Sequence, residues 1–177
     1  MKISVITGDI TQLDVDIIVN AAKSSLKGGS GVDGAIHLKA GKELLEECIT
    51  IGGCMTGDAV ITKGYNLPAK HVIHTVGPVW QDGNSQEVEM LNSCYNECLK
   101  LAETVNAKTI AFPCISTGAY GFPPKQAAKI AINTIKQYQS QSLEEVVFCC
   151  YLERDYKLYK FLLSNNFIKN IFLYFQK

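Results

Sequence analysis

Two glycine-rich segments, each lying between a strand-like and a helix-like pattern, constrain this chain more than any other feature. They span residues 28–34 and 116–123 of the 177-residue sequence. Glycine lets a backbone adopt positive φ and approach a ligand closely, and the start of a helix offers unpaired N–H groups that suit phosphate. Two such loops in one small domain predict a diphosphate held from two sides, and therefore a ligand of the nucleotide type.

Strand-like and helix-like patterns alternate around these loops. β-branched residues dominate 15–19, which indicates a strand buried on both faces, and apolar residues recur at helical spacing after residue 85. The alternation predicts an α/β domain with helices on both faces of a mainly parallel sheet. We expect one domain over residues 1–166, followed by an apolar tail, 167–177, that is either an extra strand or a partly foreign segment.

The chain carries no net formal charge, because 17 basic and 17 acidic side chains balance. Nucleic-acid-binding domains are usually basic, so we expect no nucleic-acid partner, and an anionic ligand has to be held mainly by backbone dipoles. We expect neither a signal peptide nor a membrane partner, because no apolar run has the required form or length. Seven cysteines without a Cys-x-x-Cys pair are typical of reduced thiols, which favours an intracellular protein, cytoplasmic or nuclear.

The three histidines give no metal-binding pattern. His71 and His74 lie three residues apart in a strand-like run, so their side chains point to opposite faces of a sheet. His37 is alone on a helix-like segment. We therefore expect neither a metal ion nor any other cofactor.

The first glycine loop contains a carboxylate, Asp33, whose purpose the loop alone leaves open. A carboxylate beside bound phosphate is electrostatically unfavourable unless it has a function. It either complements the dipole of the following helix, or orients or deprotonates water near a bound ribose. The spacing Gly29-x-Gly31-x-x-Gly34 also matches a dinucleotide fingerprint, but a Rossmann turn follows its strand almost at once, and residues 20–28 intervene here.

Several short motifs, in order along the chain, resemble the macrodomain family. They are Gly-Asp-Ile-Thr at 8–11, Ile-Val-Asn-Ala-Ala at 18–22, Gly-Val-Asp-Gly-Ala-Ile-His at 31–37, His-Thr-Val-Gly-Pro at 74–78 and Ser-Thr-Gly-Ala-Tyr-Gly-Phe-Pro at 116–123. The Val-Asp-Gly of the first loop and the run over 67–78 resemble the MacroD-type branch, and the resemblance covers about residues 2–165.

The resemblance implies a three-layer α/β/α macrodomain fold with a mostly parallel mixed sheet. Members of the family bind ADP-ribose. MacroD-type members hydrolyse ADP-ribosyl esters on acidic side chains and deacetylate O-acetyl-ADP-ribose, without a metal. The expected partners are therefore ADP-ribose or O-acetyl-ADP-ribose and mono-ADP-ribosylated proteins.

The resemblance also implies roles for individual residues. Asp9 would accept a hydrogen bond from the adenine amino group, the Ile10 N–H would lie nearby, and Tyr151 would lie against adenine. Phe122 would pack on the distal ribose, beside the catalytic Asp33. Core packing remains the alternative for Phe122 and Tyr151. The remaining expected ligand-binding residues are Asn20, Gly31, Val32, Ser116, Thr117, Gly118, Ala119 and Tyr120.

One departure from the family pattern falls on a catalytic position. The family usually has Asn-Ala-Ala-Asn, whereas this chain has Lys23 in place of the second asparagine. An asparagine offers a donor and an acceptor at fixed geometry, whereas a lysine offers only donors on a flexible stem. Lys23 could pair with Asp33, bind phosphate, or point to solvent.

Two functions therefore remain open. The first is a MacroD-type hydrolase weakened by Lys23, and the second is an ADP-ribose reader with little or no turnover. A phosphatase acting on ADP-ribose 1″-phosphate in the same pocket is a less favoured third hypothesis.

Overall fold

Six strands and five α-helices make up the part of the chain that the computed structural model describes, which is the backbone of residues 1–174 and the side chains of residues 1–164. The strands are β1 (Lys2–Thr7), β2 (Ile17–Ala21), β3 (Ala59–Lys63), β4 (His71–Thr75), β5 (Thr109–Phe112) and β6 (Glu145–Cys150). The helices are α1 (Gly31–Ala40), α2 (Lys42–Ile51), α3 (Glu87–Thr104), α4 (Pro124–Gln137) and α5 (Glu153–Tyr174), and a short 3-10 turn covers Ile10–Gln12.

The six strands form one mixed sheet in the order β1-β6-β5-β2-β4-β3. Only the β3–β4 pair is antiparallel among these strands. Strand β2 lies inside the sheet, where Ile17 and Val19 join the apolar core under one face and Ile18 joins the core under the other. The predicted three-layer α/β/α fold with a mostly parallel sheet is confirmed, and so is the burial of this strand on both faces.

The order of the strands creates a topological switch point between β2 and β5. These strands pair through Ile17 with Ile110 and Ile18 with Ala111. The chain leaves β5 through α4 to reach β6 on one side, whereas it leaves β2 to reach β3 and β4 on the other. Open α/β sheets bind their ligands in the crevice that forms at the carboxyl ends of such strands.

The last helix is longer than the sequence analysis anticipated. Helix α5 continues to Tyr174, so the described backbone of the tail expected over 167–177 is helical and does not form the extra strand that was one of its two alternatives. Neither glycine nor proline occurs between residues 153 and 174 to end the helix. Residues 175–177 of the predicted tail lie outside the described residues. In the described part of the chain, no helix has the combined length and apolar character needed to cross a membrane.

Candidate functional site

A cleft opens at the switch point and contains two cavities. The Asp33 cavity has a volume of about 300 Å³ and is lined by Lys23, Asp33 and Tyr120, among others. The Asp9 cavity has a volume of about 480 Å³ and includes Asp9 and Tyr151. Both volumes are typical of small-molecule sites. Four residues line both cavities and make them continuous: Gly31, Val32, Cys114 and Gly118.

The first glycine loop presents the start of α1 to this cleft. Ser30 precedes the helix in an extended conformation, but its side chain makes no capping hydrogen bond, so the first N–H groups of α1 keep their donors for a ligand. The loop folds tightly over this turn, because a Cβ on Gly34 would lie 2.4 Å from the Gly29 carbonyl oxygen. Leu26 is fully buried and anchors the loop to the core.

The second glycine loop forms a strained turn. Ser116 has φ +64°, which is uncommon for a residue with a side chain, and the Phe122 N–H closes the turn by donating to the Ser116 carbonyl at 3.0 Å. The side chain of Ser116 also lies close to Gly77, where a Cβ would lie 2.1 Å from Ser116 Oγ. Four backbone N–H groups of this loop donate to no acceptor among the described residues: those of Ser116, Gly118, Ala119 and Tyr120.

Asp33 is a buried carboxylate with one unused oxygen. Its residue is 3 % exposed, although it belongs to the first turn of α1. Oδ1 accepts a hydrogen bond from Asn20 Nδ2 at 2.8 Å, and His37 Nε2 lies 3.6 Å from the same oxygen, beyond hydrogen-bond reach. Oδ2 is buried without a partner among the described residues. A buried polar atom left unpaired is costly, so the geometry favours a functional acceptor over a group that only complements the helix dipole.

Lys23 lies in the same cavity but does not pair with Asp33. Its side chain is exposed, and its Nζ and Asp33 Oδ2 each lie 3.1 Å from the position that a Cβ on Gly29 would occupy. The ion pairs of the described residues include none between Lys23 and Asp33. The direct pairing that the sequence left open is therefore absent from this geometry, and the ammonium group is available to a ligand in the cavity.

Two residues expected to touch the ligand lie beneath the cleft instead. Asn20 is fully buried and reaches Asp33, and Phe122 is fully buried against Trp80, with ring centroids 4.5 Å apart. The aromatic side chain that faces the Asp33 cavity is Tyr120. The chain turns at Gly121, which has φ +67°, and directs Phe122 into the core. This geometry agrees with the core-packing alternative, and the contact of Phe122 with the distal ribose stays a prediction.

The Asp9 cavity includes the exposed side chains of Asp9, Tyr151 and Arg154. Asp9 Oδ1 accepts hydrogen bonds from the N–H and the hydroxyl of Thr11, at 3.0 and 2.8 Å. Burial acts to raise the pKa of Asp9, but these bonds outweigh it and the pKa is lowered. Tyr151 is 83 % exposed, so the core-packing alternative is wrong for it. Sequence analysis missed Arg154, which lines this cavity from the first turn of α5.

A second cluster that the sequence did not reveal lies below Asp33. Potential metal-ligating atoms of His37, Cys48 and His74 come within 4.8 Å of one another, although they belong to α1, α2 and β4. Both ring nitrogens of His74 already have hydrogen-bonding neighbours, Asn20 and Thr62. Burial raises the pKa of the Cys48 thiol to about 11, which disfavours the thiolate that a metal needs. We assign this cluster to the core.

Comparisons with known proteins identify relatives of this chain by sequence and by fold. Residues 19–131 match the model of the Macro domain family. The O-acetyl-ADP-ribose deacetylase of Escherichia fergusonii is 54% identical over 169 residues, which cover 92% of this chain and 96% of that protein. The human ADP-ribose glycohydrolase MACROD2 is 55% identical over 163 residues, which cover 90% of this chain but only 38% of that protein. A solved Trypanosoma brucei macrodomain in complex with ADP-ribose superposes with a TM-score of 0.86 at 43% identity, covering 91% of this chain and 68% of the other.

Proposed function

Because this chain belongs to the macrodomain family, we propose that its cleft binds ADP-ribose and hydrolyses ADP-ribosyl esters on acidic side chains as well as O-acetyl-ADP-ribose. The observation that carries the proposal is the buried Oδ2 of Asp33, which has no hydrogen-bond partner among the described residues. Asp33 lines the same cavity as the free N–H groups of the second glycine loop. An acceptor and an array of donors in one cavity suit a substrate that is both a polyol and an anion.

Binding would use the whole cleft. The diphosphate would lie between the start of α1 and the second glycine loop, where backbone N–H groups hold a dianion without requiring a basic surface. The adenine would lie against the exposed face of Tyr151, and Asp9 would accept from its amino group. The distal ribose would then enter the Asp33 cavity.

Hydrolysis would take place at that ribose. Asp33 Oδ2, together with the diphosphate of the substrate, would position a water molecule, and the carboxylate would act as its general base. Attack by this water breaks the ester bond and releases ADP-ribose and the free carboxylic acid, which is the acidic side chain or acetate. No cofactor is required for this reaction.

A second candidate function, a reader without turnover, is favoured by Lys23. Its ammonium group and Asp33 Oδ2 each lie 3.1 Å from the position that a Cβ on Gly29 would occupy, so both groups are in the same part of the cavity. A flexible cation there attracts the diphosphate, but it cannot fix a ribose hydroxyl as an amide would. Binding would then survive better than hydrolysis.

The substrates and the compartment are also part of the proposal. Lys23 is exposed at one end of the cleft, so a ribose attached to a protein side chain could enter from that side, which suits mono-ADP-ribosylated proteins. All seven cysteines are free thiols, which suits the reducing cytoplasm or nucleus.

The decisive experiment separates binding from turnover. ADP-ribose is titrated calorimetrically into the unaltered chain, Asp33→Ala and Lys23→Asn, and each protein is incubated with a protein ADP-ribosylated on aspartate and glutamate. Release of ADP-ribose by the unaltered chain that disappears in Asp33→Ala supports the hydrolase. Release only after Lys23→Asn supports the reader, and failure of all three to bind ADP-ribose rejects both functions.

A further inference from the structure

A chain of buried hydrogen bonds crosses the sheet beneath Asp33. It begins at Thr62 on β3, continues through His74 on β4 and Asn20 on β2, and ends at Asp33 on α1, and all four side chains are buried. The distances are 3.0 Å from Thr62 Oγ1 to His74 Nε2, 3.1 Å from His74 Nδ1 to Asn20 Nδ2, and 2.8 Å from Asn20 Nδ2 to Asp33 Oδ1.

The carboxylate of Asp33, at one end of this series of hydrogen bonds, fixes the direction of each hydrogen bond in the series. A carboxylate oxygen only accepts, so the Asn20 amide must turn its Nδ2 towards Asp33, because the flipped amide would place two oxygens in contact. The same Nδ2 lies against His74 Nδ1, which must then be the bare nitrogen of the imidazole. The proton of His74 is therefore on Nε2 and is donated to Thr62 Oγ1, whose own hydroxyl hydrogen goes to the Lys63 carbonyl at 3.2 Å.

The surroundings of His74 keep it neutral. Complete burial, and to a lesser degree the neighbouring His37, lower the pKa of His74 to about 3. The other titratable group against the ring is the Cys48 thiol, 3.8 Å from Nε2, whose pKa burial raises. A neutral imidazole has one donor and one acceptor, which is what the chain from Thr62 to Asn20 requires.

We propose that His74 is a positioning residue for the hydrolysis, because its bare Nδ1 holds the Asn20 amide in the one orientation that engages Asp33 Oδ1 and leaves Oδ2 for the water or the ribose. The inference rests on the proposed function. Without the acceptor on His74, Asp33 alone would hold the Asn20 amide, and the pair could rotate together. A displacement of a reacting group by about 1 Å costs roughly a hundredfold in rate. Ligand binding would change little, because the proposed phosphate contacts are backbone N–H groups and the proposed adenine contacts lie in the Asp9 cavity.

Two substitutions of His74 distinguish a positioning role from a general contribution to the stability of the fold. In His74→Asn, the short amide reaches the place of Nδ1 and can still accept from Asn20. In His74→Gln, the longer amide reaches Thr62 but leaves a methylene opposite Asn20. We expect kcat to fall about a hundredfold in His74→Gln, with KM and the affinity for ADP-ribose almost unchanged, whereas His74→Asn retains most of the kcat. The same two changes at His71, which lies on β4 with its side chain on the other face, are the matched control and should leave kcat unaltered.

Two measurements can overturn the proposal. An equal loss of kcat in His74→Asn and His74→Gln, in proportion to a loss of thermal stability, would assign His74 a structural role only. Nitrogen-15 NMR of the imidazole in the unaltered protein reports which ring nitrogen carries the proton, and a proton on Nδ1 would refute the proposal whatever the activity. If the unaltered chain shows no turnover, the hydrolysis fails as a function, and the NMR result alone then decides whether His74 orients Asn20 towards Asp33.

Discussion

The two cavities of the cleft are built in opposite ways. In the Asp33 cavity, the key carboxylate is buried, held from below by Asn20 and left with one unpaired oxygen. In the Asp9 cavity, the key carboxylate is exposed and uses one oxygen to cap a local turn through Thr11. The first arrangement leaves a buried acceptor without a hydrogen bond. In the second, the carboxylate is accessible to solvent and already accepts two hydrogen bonds.

Under the proposed function, this difference separates catalysis from recognition within one continuous cleft. A buried, oriented and unpaired acceptor is suited to a step that requires fixed geometry. An exposed aromatic face and a solvated carboxylate are suited to affinity, because they add contact area without requiring exact placement. Changes in the Asp33 cavity should therefore act on kcat, and changes in the Asp9 cavity should act on the affinity for ADP-ribose.

The largest expected effect comes from the same substitution made in each cavity. Asp33→Asn removes the general base, so kcat should fall by about a thousandfold while ADP-ribose binding changes little. Asp9→Asn should leave kcat at saturating substrate unchanged and weaken ADP-ribose binding by about tenfold. Turnover assays and calorimetry on both variants test this assignment of kcat to one cavity and of affinity to the other. A comparable loss of kcat in Asp9→Asn would contradict it.

A second test concerns Lys23, the lysine that lines the Asp33 cavity. Lys23→Asn supplies a donor and an acceptor of fixed geometry next to Asp33, so we expect kcat to rise by about 10- to 100-fold. Lys27→Asn, an exposed lysine of the same loop, controls for the loss of charge and should leave kcat unchanged. A fall of kcat in Lys23→Asn would show instead that the lysine itself contributes to the reaction.

The fold was predictable from local patterns, and the reason is visible in β2. Its β-branched run indicated burial on both faces, and Ile17, Ile18 and Val19 are fully buried in the sheet. The order of the strands was not predictable, because it depends on contacts between segments far apart in the sequence. The two glycine loops were also identified from local sequence, since their backbone requirements are encoded by residues that are neighbours in the chain.

The support beneath the site was not predictable in the same way. Asn20 and His74 are register partners on β2 and β4, and they face α1 where the alternation would otherwise place apolar residues. Sequence periodicity shows that a polar residue interrupts each strand, but it does not show that the two strands are neighbours. The burial of Phe122 was not predictable for a related reason, because it depends on the turn at Gly121 that directs the side chain into the core. The ligand contacts of Asp9 and Tyr151 stay predictions.

A smaller effect is expected from the aromatic residue of the Asp9 cavity. Stacking of a base on an aromatic side chain contributes about 1–3 kcal/mol, so Tyr151→Ala should weaken ADP-ribose binding by about 5- to 150-fold without a change in kcat. Ribose 5-phosphate, which lacks adenine, should bind both proteins equally. Phe161→Ala, which removes another exposed aromatic residue, is the control, and equal weakening of ribose 5-phosphate binding would place the adenine elsewhere.

The smallest effect concerns a carboxylate that supports the second glycine loop from outside the cleft. Glu87 accepts the backbone N–H groups of Gln81, Gly83 and Ser85, in the segment that follows Trp80. The Trp80 N–H donates to the Tyr120 carbonyl at 2.8 Å. Burial acts to raise the pKa of Glu87, but these N–H groups prevail and lower it from 4.5 to about 2. A lowered pKa means that the ionised form stabilises the fold above pH 4.5 and that this stabilisation is lost as the pH falls towards 2.

Glu87→Gln tests this support. The substitution should lower the free energy of unfolding at neutral pH, and the difference from the unaltered chain should shrink as the pH falls below 4.5, the ordinary pKa of a glutamate. Glu89→Gln, on the exposed side of the same helical turn, should show no such pH-dependent difference in urea unfolding. Because Trp80 reaches the loop through Tyr120, ADP-ribose binding should weaken slightly in Glu87→Gln while kcat is kept. A loss of kcat comparable to that of Asp33→Asn would mean that the Asp33 cavity depends on the support that Glu87 gives to the second glycine loop as strongly as on Asp33 itself.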